Sequence, residues 1–534
     1  MSRVIFNNQP DPPDINQGRA DIACFVGLVR VLPGASVPAS SAAWLKTLGY
    51  TAAQIANIQN VPVLLETWAA FNSIFDSGGT GSAFGTDYLA ATVSTFFAQG
   101  GRRCYVVRVG DPIASLANDP ARTKELSAKL KTLLPNISYS ANIPSTRTGV
   151  CSLAVLEDVS FLVTPDLAIL SASIPAAATG EIPTIPTGPE QFVECAQADI
   201  TPQPFRLFNS PAPRLSTADY GKWAISVAAI LNFLASGGLR NELHLREMQF
   251  VTAFPLPHQM DPAVVIENPS AEDLAQDIRA IVASQLPEFA PPEGVIPGGN
   301  ISSAFLQLCY PWLKTTGSHV LLESLEPPDG AFTGLLARNA LTRGTFTSAT
   351  KVTPSGIYDV WPALPAHETK SSATKLIWNN QSPKPLIERL SLFGFTPSGL
   401  RLLSDVTAYP GESYRSGPVN RLVAVICRAS RLTGEATIFE RNGPALWGRV
   451  QRSLQNLMTR LWTLNALDGA SVKDAFSVRC DRSTMTQNDL DNGRVLADVT
   501  FNAASTIETI RVKLAMQTGG TSGQQITANL AEAS

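Results

Sequence analysis

Histidine is nearly missing from this chain: four serve all 534 residues, His244, His258, His319 and His367. None stands in H-x-H or H-E-x-x-H spacing, so a histidine metal site or a His-based catalytic unit has few parts to draw on. Charge is scarce too. Lys, Arg, Asp and Glu supply 16% of residues while apolar types supply 44%, against roughly 25% charged in ordinary soluble domains. A chain so poor in charge hides much of its surface against partners, which argues for an assembly. The 41 basic and 44 acidic residues leave a net charge of −3. No cationic surplus remains to neutralise a phosphate backbone, so nucleic acid is not an expected partner.

Long apolar runs are absent as well. The best stretch, residues 223–235, carries Ser226 and Asn232 and falls short of a membrane span, so no direct membrane insertion is expected. The opening residues 1–8 lack the apolar run of a signal peptide, which predicts a soluble chain that does not use the general export route. Seven cysteines, at 24, 104, 151, 195, 309, 427 and 480, are odd in number and never form C-x-x-C. They read as small apolar core residues in a reducing cytosol, not as a disulfide framework or a zinc site.

Other chemical signatures fail in detail. The glycine-rich run from Gly78 to Gly85 lacks the Gly-Lys-Ser/Thr ending of a phosphate loop. Asp489-Leu490-Asp491-Asn492-Gly493 opens like a calcium loop, but its glycine comes one place early and position 12 is Thr500 instead of Glu. It reads as an acidic helix start and an Asn-Gly turn into a strand. No G-x-S-x-G elbow occurs. Neither a cofactor nor a catalytic residue is indicated.

What is there is an α/β rhythm in a chain long enough for about three or four domains. Residues 7–18 are polar and proline-rich and read as an extended arm. A buried strand is expected over 22–29, then a strand at 61–65, helices over 67–75 and 87–99, and a strand at 103–109 after Gly100-Gly101. From about 111 to 204 the pattern loosens into Ser/Thr/Pro/Ala-rich text around a strand at 159–164, which predicts an inserted subdomain. The rhythm resumes with a helix at 218–235, a strand at 250–254, a helix at 271–285 and an apolar run at 305–313. Prolines around 362–365 mark a boundary.

In the last third a strand is expected over 422–428. Asn442-Gly443-Pro444 then starts a helix running to about 467, with Asn442 as cap and Pro444 in its first turn. Val450, Leu454, Leu457, Leu461 and Leu464 form a core-facing stripe, while Arg449, Arg452 and Arg460 cluster on the helical wheel within about 80° of one another. That basic face is either merely solvated or a docking face for an acidic partner. Strands at 475–480, 494–502 and 509–516 follow, then a Gly/Ser/Gln-rich tail. Extended segments at both ends can complete their hydrogen bonds on a neighbour's sheet edge.

Three blocks of residues, in order and spacing, resemble the contractile tail sheath proteins of phages and related injection systems. The first joins Phe71-Asn72-Ser73-Ile74-Phe75, Tyr88-Leu89-Ala90 and Phe96-Phe97-Ala98-Gln99-Gly100-Gly101-Arg102-Arg103-Cys104-Tyr105-Val106-Val107-Arg108. The second holds Tyr310-Pro311-Trp312-Leu313, Pro327-Pro328-Asp329-Gly330, Gly334, Arg338 and Arg343-Gly344. The third runs from Phe439-Glu440-Arg441-Asn442 through Leu446-Trp447, Leu461-Trp462, Val478-Arg479-Cys480-Asp481 and Met485-Thr486-Gln487 to Asp491-Asn492-Gly493. Together they span under half of the chain.

The resemblance implies a multidomain α/β and α+β protein: a mixed-sheet central domain with an insertion, and a C-terminal α+β sheath domain with extended terminal arms. Its expected parts are an arm (1–20), an outer domain in two pieces (21–110 and 205–365) around the insertion (111–204), a tube-proximal domain (366–516) and a tail (517–534). It implies a homo-oligomeric sheath in six-fold or helical order around an inner tube protein, with baseplate and tail-terminator or cap proteins as further partners. Assembly would occur in the cytoplasm, within a phage tail or a tail-like injection particle. The strands donated between subunits would be Arg3, Val4, Ile5 and Phe6, and Thr509, Ile510, Arg511, Val512, Lys513 and Leu514. Arg449, Arg452 and Arg460 are the candidate tube contacts. Two alternatives stay open: a baseplate or cap paralogue, and a hydrolase-like α/β enzyme with its site in residues 205–300.

Overall fold

A computed structural model describes residues 19–77, 88–113, 120–136, 138–140, 142–173, 212–237, 242–257, 301–321, 323–364, 369, 386–409, 411, 414–438, 440–504 and 509–517. The expected arm strand at 3–6, the glycine-rich run, the helix at 271–285 and the tail lie outside these residues, as do His258, His367 and Cys195.

The strands in chain order are β1 (Ala23–Leu28), β2 (Pro62–Leu65), β3 (Cys104–Gly110), β4 (Phe161–Val163), β5 (Arg214–Leu215), β6 (Gln249–Ala253), β7 (Leu256–Pro257), β8 (Leu306–Tyr310), β9 (Trp312–Thr315), β10 (Ile357–Trp361), β11 (Ser391–Thr396), β12 (Gly399–Leu402), β13 (Phe476–Arg479), β14 (Arg494–Asn502) and β15 (Thr509–Gln517). Eight of them form one sheet in the order β12-β11-β8-β6-β4-β1-β3-β2. The six inner strands run parallel, and β2 and β12 close the two ends antiparallel.

A parallel sheet is covered on both faces, so its inner strands are apolar at every position and not at alternate ones. β1 shows this directly. Cys24, Val26 and Leu28 pack into one core, and Ala23 and Phe25 into the core on the opposite face. The second core holds the crossing of two helices, Tyr88–Ala98 and Asp329–Thr342. Gly330 and Gly334 let the backbones approach: a Cβ at Gly330 would lie 2.3 Å from the Thr92 carbonyl oxygen, and one at Gly334 2.7 Å from that of Phe96. The glycines of the second sequence block are therefore packing residues.

A separate C-terminal unit has its own core. The helix Pro444–Thr463 packs on the antiparallel sheet β13-β14-β15, and the helix Gly417–Glu435 packs against it and shares the same core. β14 alternates strictly, with Val495, Ala497, Val499 and Phe501 buried and the residues between them half-buried. One face meets that core and the other is wet.

The mixed α/β and α+β class agrees with the sequence reading, but several details differ. Residues 422–428 are not a strand; they lie inside the Gly417–Glu435 helix. The run Leu422-Val423-Ala424-Val425-Ile426 has strand composition, yet Val419, Leu422, Val423, Ile426 and Ala429 recur at helical spacing and fill the C-terminal core. β4, expected within the insertion, pairs with β1 and β6 in mid-sheet. β11 and β12, beyond the expected boundary near 365, extend the same sheet through β8. Burial of β4 on both faces, and pairing of β11 with a strand over 80 positions earlier, are non-local gains that no local pattern records. The Pro444–Thr463 helix stops short of 467, and Leu464 is exposed, not core-facing, because Asn465 turns the chain through a left-handed conformation.

Candidate functional site

The Pro444–Thr463 helix starts as its sequence dictates, with proline in its first turn, where the missing amide hydrogen costs nothing. Gly443 occupies the cap position without a side-chain bond, while the Asn442 side chain accepts from Trp447 Nε1 at 2.7 Å. Asn442 thus pins the helix start through an indole rather than through a backbone amide. Leu446, Val450, Leu454, Leu457, Met458 and Leu461 are buried, and Arg449, Arg452 and Arg460 all project to solvent on the other side. Arg449 already bonds Glu440, so the basic face is partly neutralised from within.

Beside this helix the sheet offers two open borders. Among the described residues no strand pairs with the outer side of β13 or of β15. β15 itself pairs antiparallel with β14 of the same chain over nine positions, from Asn502↔Thr509 to Arg494↔Gln517. The register sets Ile510, Val512, Leu514 and Met516 opposite the buried Phe501, Val499, Ala497 and Val495. Residues 509–514, expected to pair with a neighbour, thus complete their own chain's sheet here. Residues 3–6 lie outside the described residues.

The Gly417–Glu435 helix joins the two units with opposite chemistry on its two sides. Its apolar side belongs to the C-terminal core. Its polar side grips the α/β unit: Arg421 clasps Asp405 through two hydrogen bonds, at 2.9 and 2.7 Å, and also reaches Gln307 at 3.1 Å. Asn420 donates to Gln249 at 2.6 Å, and Arg428 and Arg431 converge on buried Glu247 at 3.4 and 2.7 Å. Burial pushes the Asp405 carboxyl up, but the Arg421 charge and its hydrogen bonds outweigh this and hold it below the usual range. Nothing in the sequence marked these residues; polar positions at i, i+1, i+8 and i+11 in a helix read as a strand could not be assigned a face.

At the carboxyl ends of the parallel strands, where α/β enzymes bind ligands, the described side chains are buried: Tyr88 stacks edge-on against Trp312, and Asp166, Glu326 and Asp329 are fully enclosed. Among the described residues no group of three His, Cys, Asp or Glu could hold a metal ion. His244 is buried, its Nε2 3.1 Å from the Leu153 carbonyl; burial depresses its basicity. An open cleft of about 530 Å³ beside β2 and β3 is lined by Trp44, Leu64, Arg103, Tyr105 and Asp158 among others. No described helix is long and apolar enough to cross a membrane.

Compared by sequence, the chain matches no family model and no curated protein. Compared by structure, it is similar to a chain in the cryo-EM structure of the anti-feeding prophage baseplate in its contracted state. That match has a TM-score of 0.52 and 17% identity over 95% of each chain. It is also similar to a chain of the six-fold symmetrised baseplate of that particle, at 0.50 and 16% identity, with 92% of this chain and 91% of that one covered. A chain of the particle's contracted helical sheath aligns at 0.48 and 17% identity, over 92% and 91%. The baseplate likenesses extend across both units, so the whole architecture is shared and not the α/β part alone.

Proposed function

We propose that the chain is a structural subunit of a contractile sheath, which polymerises around an inner tube and shortens to drive that tube through a target envelope. The observation that carries this reading is the fold shared over 95% of the chain with a component of a particle that has a contracted state. The three sequence blocks support it independently, since their residues fall in both units. In this reading the C-terminal unit faces the tube, with Arg449, Arg452 and Arg460 as contacts, and the α/β unit faces outward. Baseplate and terminator proteins cap the ends, and the particle is assembled in the cytoplasm. The work is non-enzymatic, and no cofactor takes part.

Neighbouring subunits are held by exchanged strands. Among the described residues no strand pairs with the outer border of β13 or of β15, and a strand added there gains main-chain bonds together with side-chain pockets. Residues 3–6 add to one such sheet, and residues 509–514 pair with β14 of a neighbour instead of their own. The tethers survive while rigid domains trade one set of contacts for another. A gain of about 1 kcal/mol per subunit, the size of one net hydrogen bond, becomes large when many tethered copies convert together.

Negative-stain microscopy of the purified chain with its tube protein tests the reading: tubes or stacked rings are expected, and persistent monomers would refute it. Deleting residues 509–534 is expected to leave mostly monomers. Unchanged polymerisation after that deletion removes strand donation while leaving the sheath reading standing. A second reading, a baseplate-proximal paralogue, is favoured by the two baseplate likenesses; single rings that never elongate would select it.

A further inference from the structure

We propose that the β11-β12 hairpin is a finger that docks into the open cleft beside β2 and β3 of a second copy of this chain, making a head-to-tail contact between α/β units. Phe395 on β11 and Tyr358 on β10 are the most exposed large apolar side chains among the described residues, at 61% and 55%. Phe393 and Leu402, partners across the hairpin, are buried in the core on one face of the sheet. Phe395, two residues on, points to the same face but overshoots that core. The turn is short and braced: Pro397 and Ser398 alone connect the strands, and Thr396 Oγ1 donates to the Gly399 carbonyl at 2.8 Å. Tyr358 is the extra residue where the pairing of β10 with β9 shifts register, a bulge that re-aims a side chain. β10 lies alongside β12, so both aromatics belong to one border of the sheet.

The finger cannot fill the cleft of its own chain. β11 and β3 stand five strands apart in one sheet, about 24 Å at the usual spacing. The finger tops the carboxyl end of β11, while the cleft opens at the amino end of β3, where Arg103 and Tyr105 lie. A knob at one border and a hole at the other make a heterologous pair, which runs from copy to copy into a ring or a helix. The cleft suits this occupant. Trp44, Leu64 and Tyr105 wall it, and its 530 Å³ is that of an ordinary ligand pocket. Arg103 Nε is buried and has no hydrogen-bond partner among the described residues; a main-chain carbonyl of the entering turn can accept from it. Charges match as well. Glu157 and Asp158 line the cleft, and Arg103, the lining cation, is offset by Glu66 at 3.7 Å. Glu157 stands 3.6 Å from Arg431, but that arginine has nearer partners in Glu247 and Glu435 at 2.7 and 2.9 Å. Around the finger Arg401 and Arg338 both bond Thr353, at 2.6 and 3.4 Å, with exposed Lys351 two residues away, while Lys314 and Asp359 pair off at 2.9 Å. A basic finger thus meets an acidic cleft, which steers the encounter and fixes its register.

One aromatic side chain buries about 150–250 Å², against about 1,200–2,000 Å² in a stable interface. Singly the contact is weak, and it gains strength by repetition. It deepens the sheath reading by naming a surface between copies, yet rests on the α/β unit alone and uses no terminal strand. Ser398 at the fingertip and Ser40 on the cleft wall are both exposed, and every described cysteine but Cys427 is buried. Full-length Ser398→Cys and Ser40→Cys proteins, mixed with a short bis-maleimide linker, should give a cross-linked dimer, and either alone no more than the parent. Adding Phe395→Ser to the first, at a position outside the core, should lower the yield about thirtyfold, as loss of a binding hot spot does. Lys351→Glu should lower it severalfold. Equal yields from either variant alone, a yield indifferent to Phe395→Ser, or a cleft thiol that joins added tube protein in place of its sister would overturn the proposal. Polymers that form without the cross-link overturn the finger contact and leave the sheath reading standing.

Discussion

Replacing Gly330 by alanine sets two opposed effects against each other. Alanine is favoured over glycine inside a helix by about 1 kcal/mol, so propensity alone predicts a more stable protein. The structure predicts the reverse. The new Cβ would sit 2.3 Å from the Thr92 carbonyl oxygen and 2.9 Å from its carbon, against about 3.5 Å or more for an ordinary carbon contact. Both obstacles are backbone, so neither can swing aside, and overpacking of this kind costs about 1–3 kcal/mol or more. With the steric cost at the upper end of that range, the net change is a loss of about 2 kcal/mol, or roughly 30-fold in the folded-to-unfolded ratio. Gly334→Ala, with its nearest obstacles at 2.7 Å, should lose less. Gly448→Ala supplies the opposite sign: its Cβ would meet only an Arg452 guanidinium nitrogen at 3.5 Å, so it should gain nearly the full propensity increment. Urea unfolding followed by fluorescence and far-ultraviolet dichroism reads all three, with Trp312 in the α/β unit and Trp447 and Trp462 in the other. A Gly330→Ala protein as stable as the parent would refute the close crossing.

At the junction, Asp405→Ala strands a buried guanidinium and should cost about 3–5 kcal/mol, whereas Asp405→Leu with Arg421→Met should cost much less, because no lone charge stays buried; equal losses in denaturant melts would place the energy elsewhere. The same pair sets an acid limit. Since the Asp405 carboxyl is held below its ordinary 3.8, its contribution is full above that value and is lost as pH falls below it, which an acid titration of the Asp405→Ala and parent proteins compares. Arg449→Glu with Arg452→Glu, both exposed, should leave the unfolding free energy within about 0.5 kcal/mol while impairing assembly on the tube more than assembly of empty sheaths; equal effects in sedimentation assays would count against tube docking.

Local pattern was enough wherever one element answers to one environment. Pro444 started its helix, Thr486 and Asp489 form the reciprocal cap expected of an acidic helix start, and Gly493 takes the left-handed turn into β14. The alternation of β14 and the unbroken apolar run of β1 were equally legible, because burial of one face or of two leaves different periods in the sequence. The sequence also held the motif Glu326-Pro327-Pro328-Asp329-Gly330 in plain sight, but as proline-rich text and a family likeness. That its two acids are enclosed, and that its glycine sits against another helix's backbone, depends on residues some 230 positions away.

By itself, then, the sequence determined the strands β1 to β3, the helix that Pro444 opens and the strands β13 to β15 that follow it, all of which follow from neighbours a few residues apart. Only the tertiary structure decided that β4 and β11 join one sheet, that residues 417–435 coil into a helix serving two units, and which carboxyls lose their water. Those outcomes turn on burial and pairing between distant segments, whose free energy exceeds local preference and leaves no periodic trace along the chain.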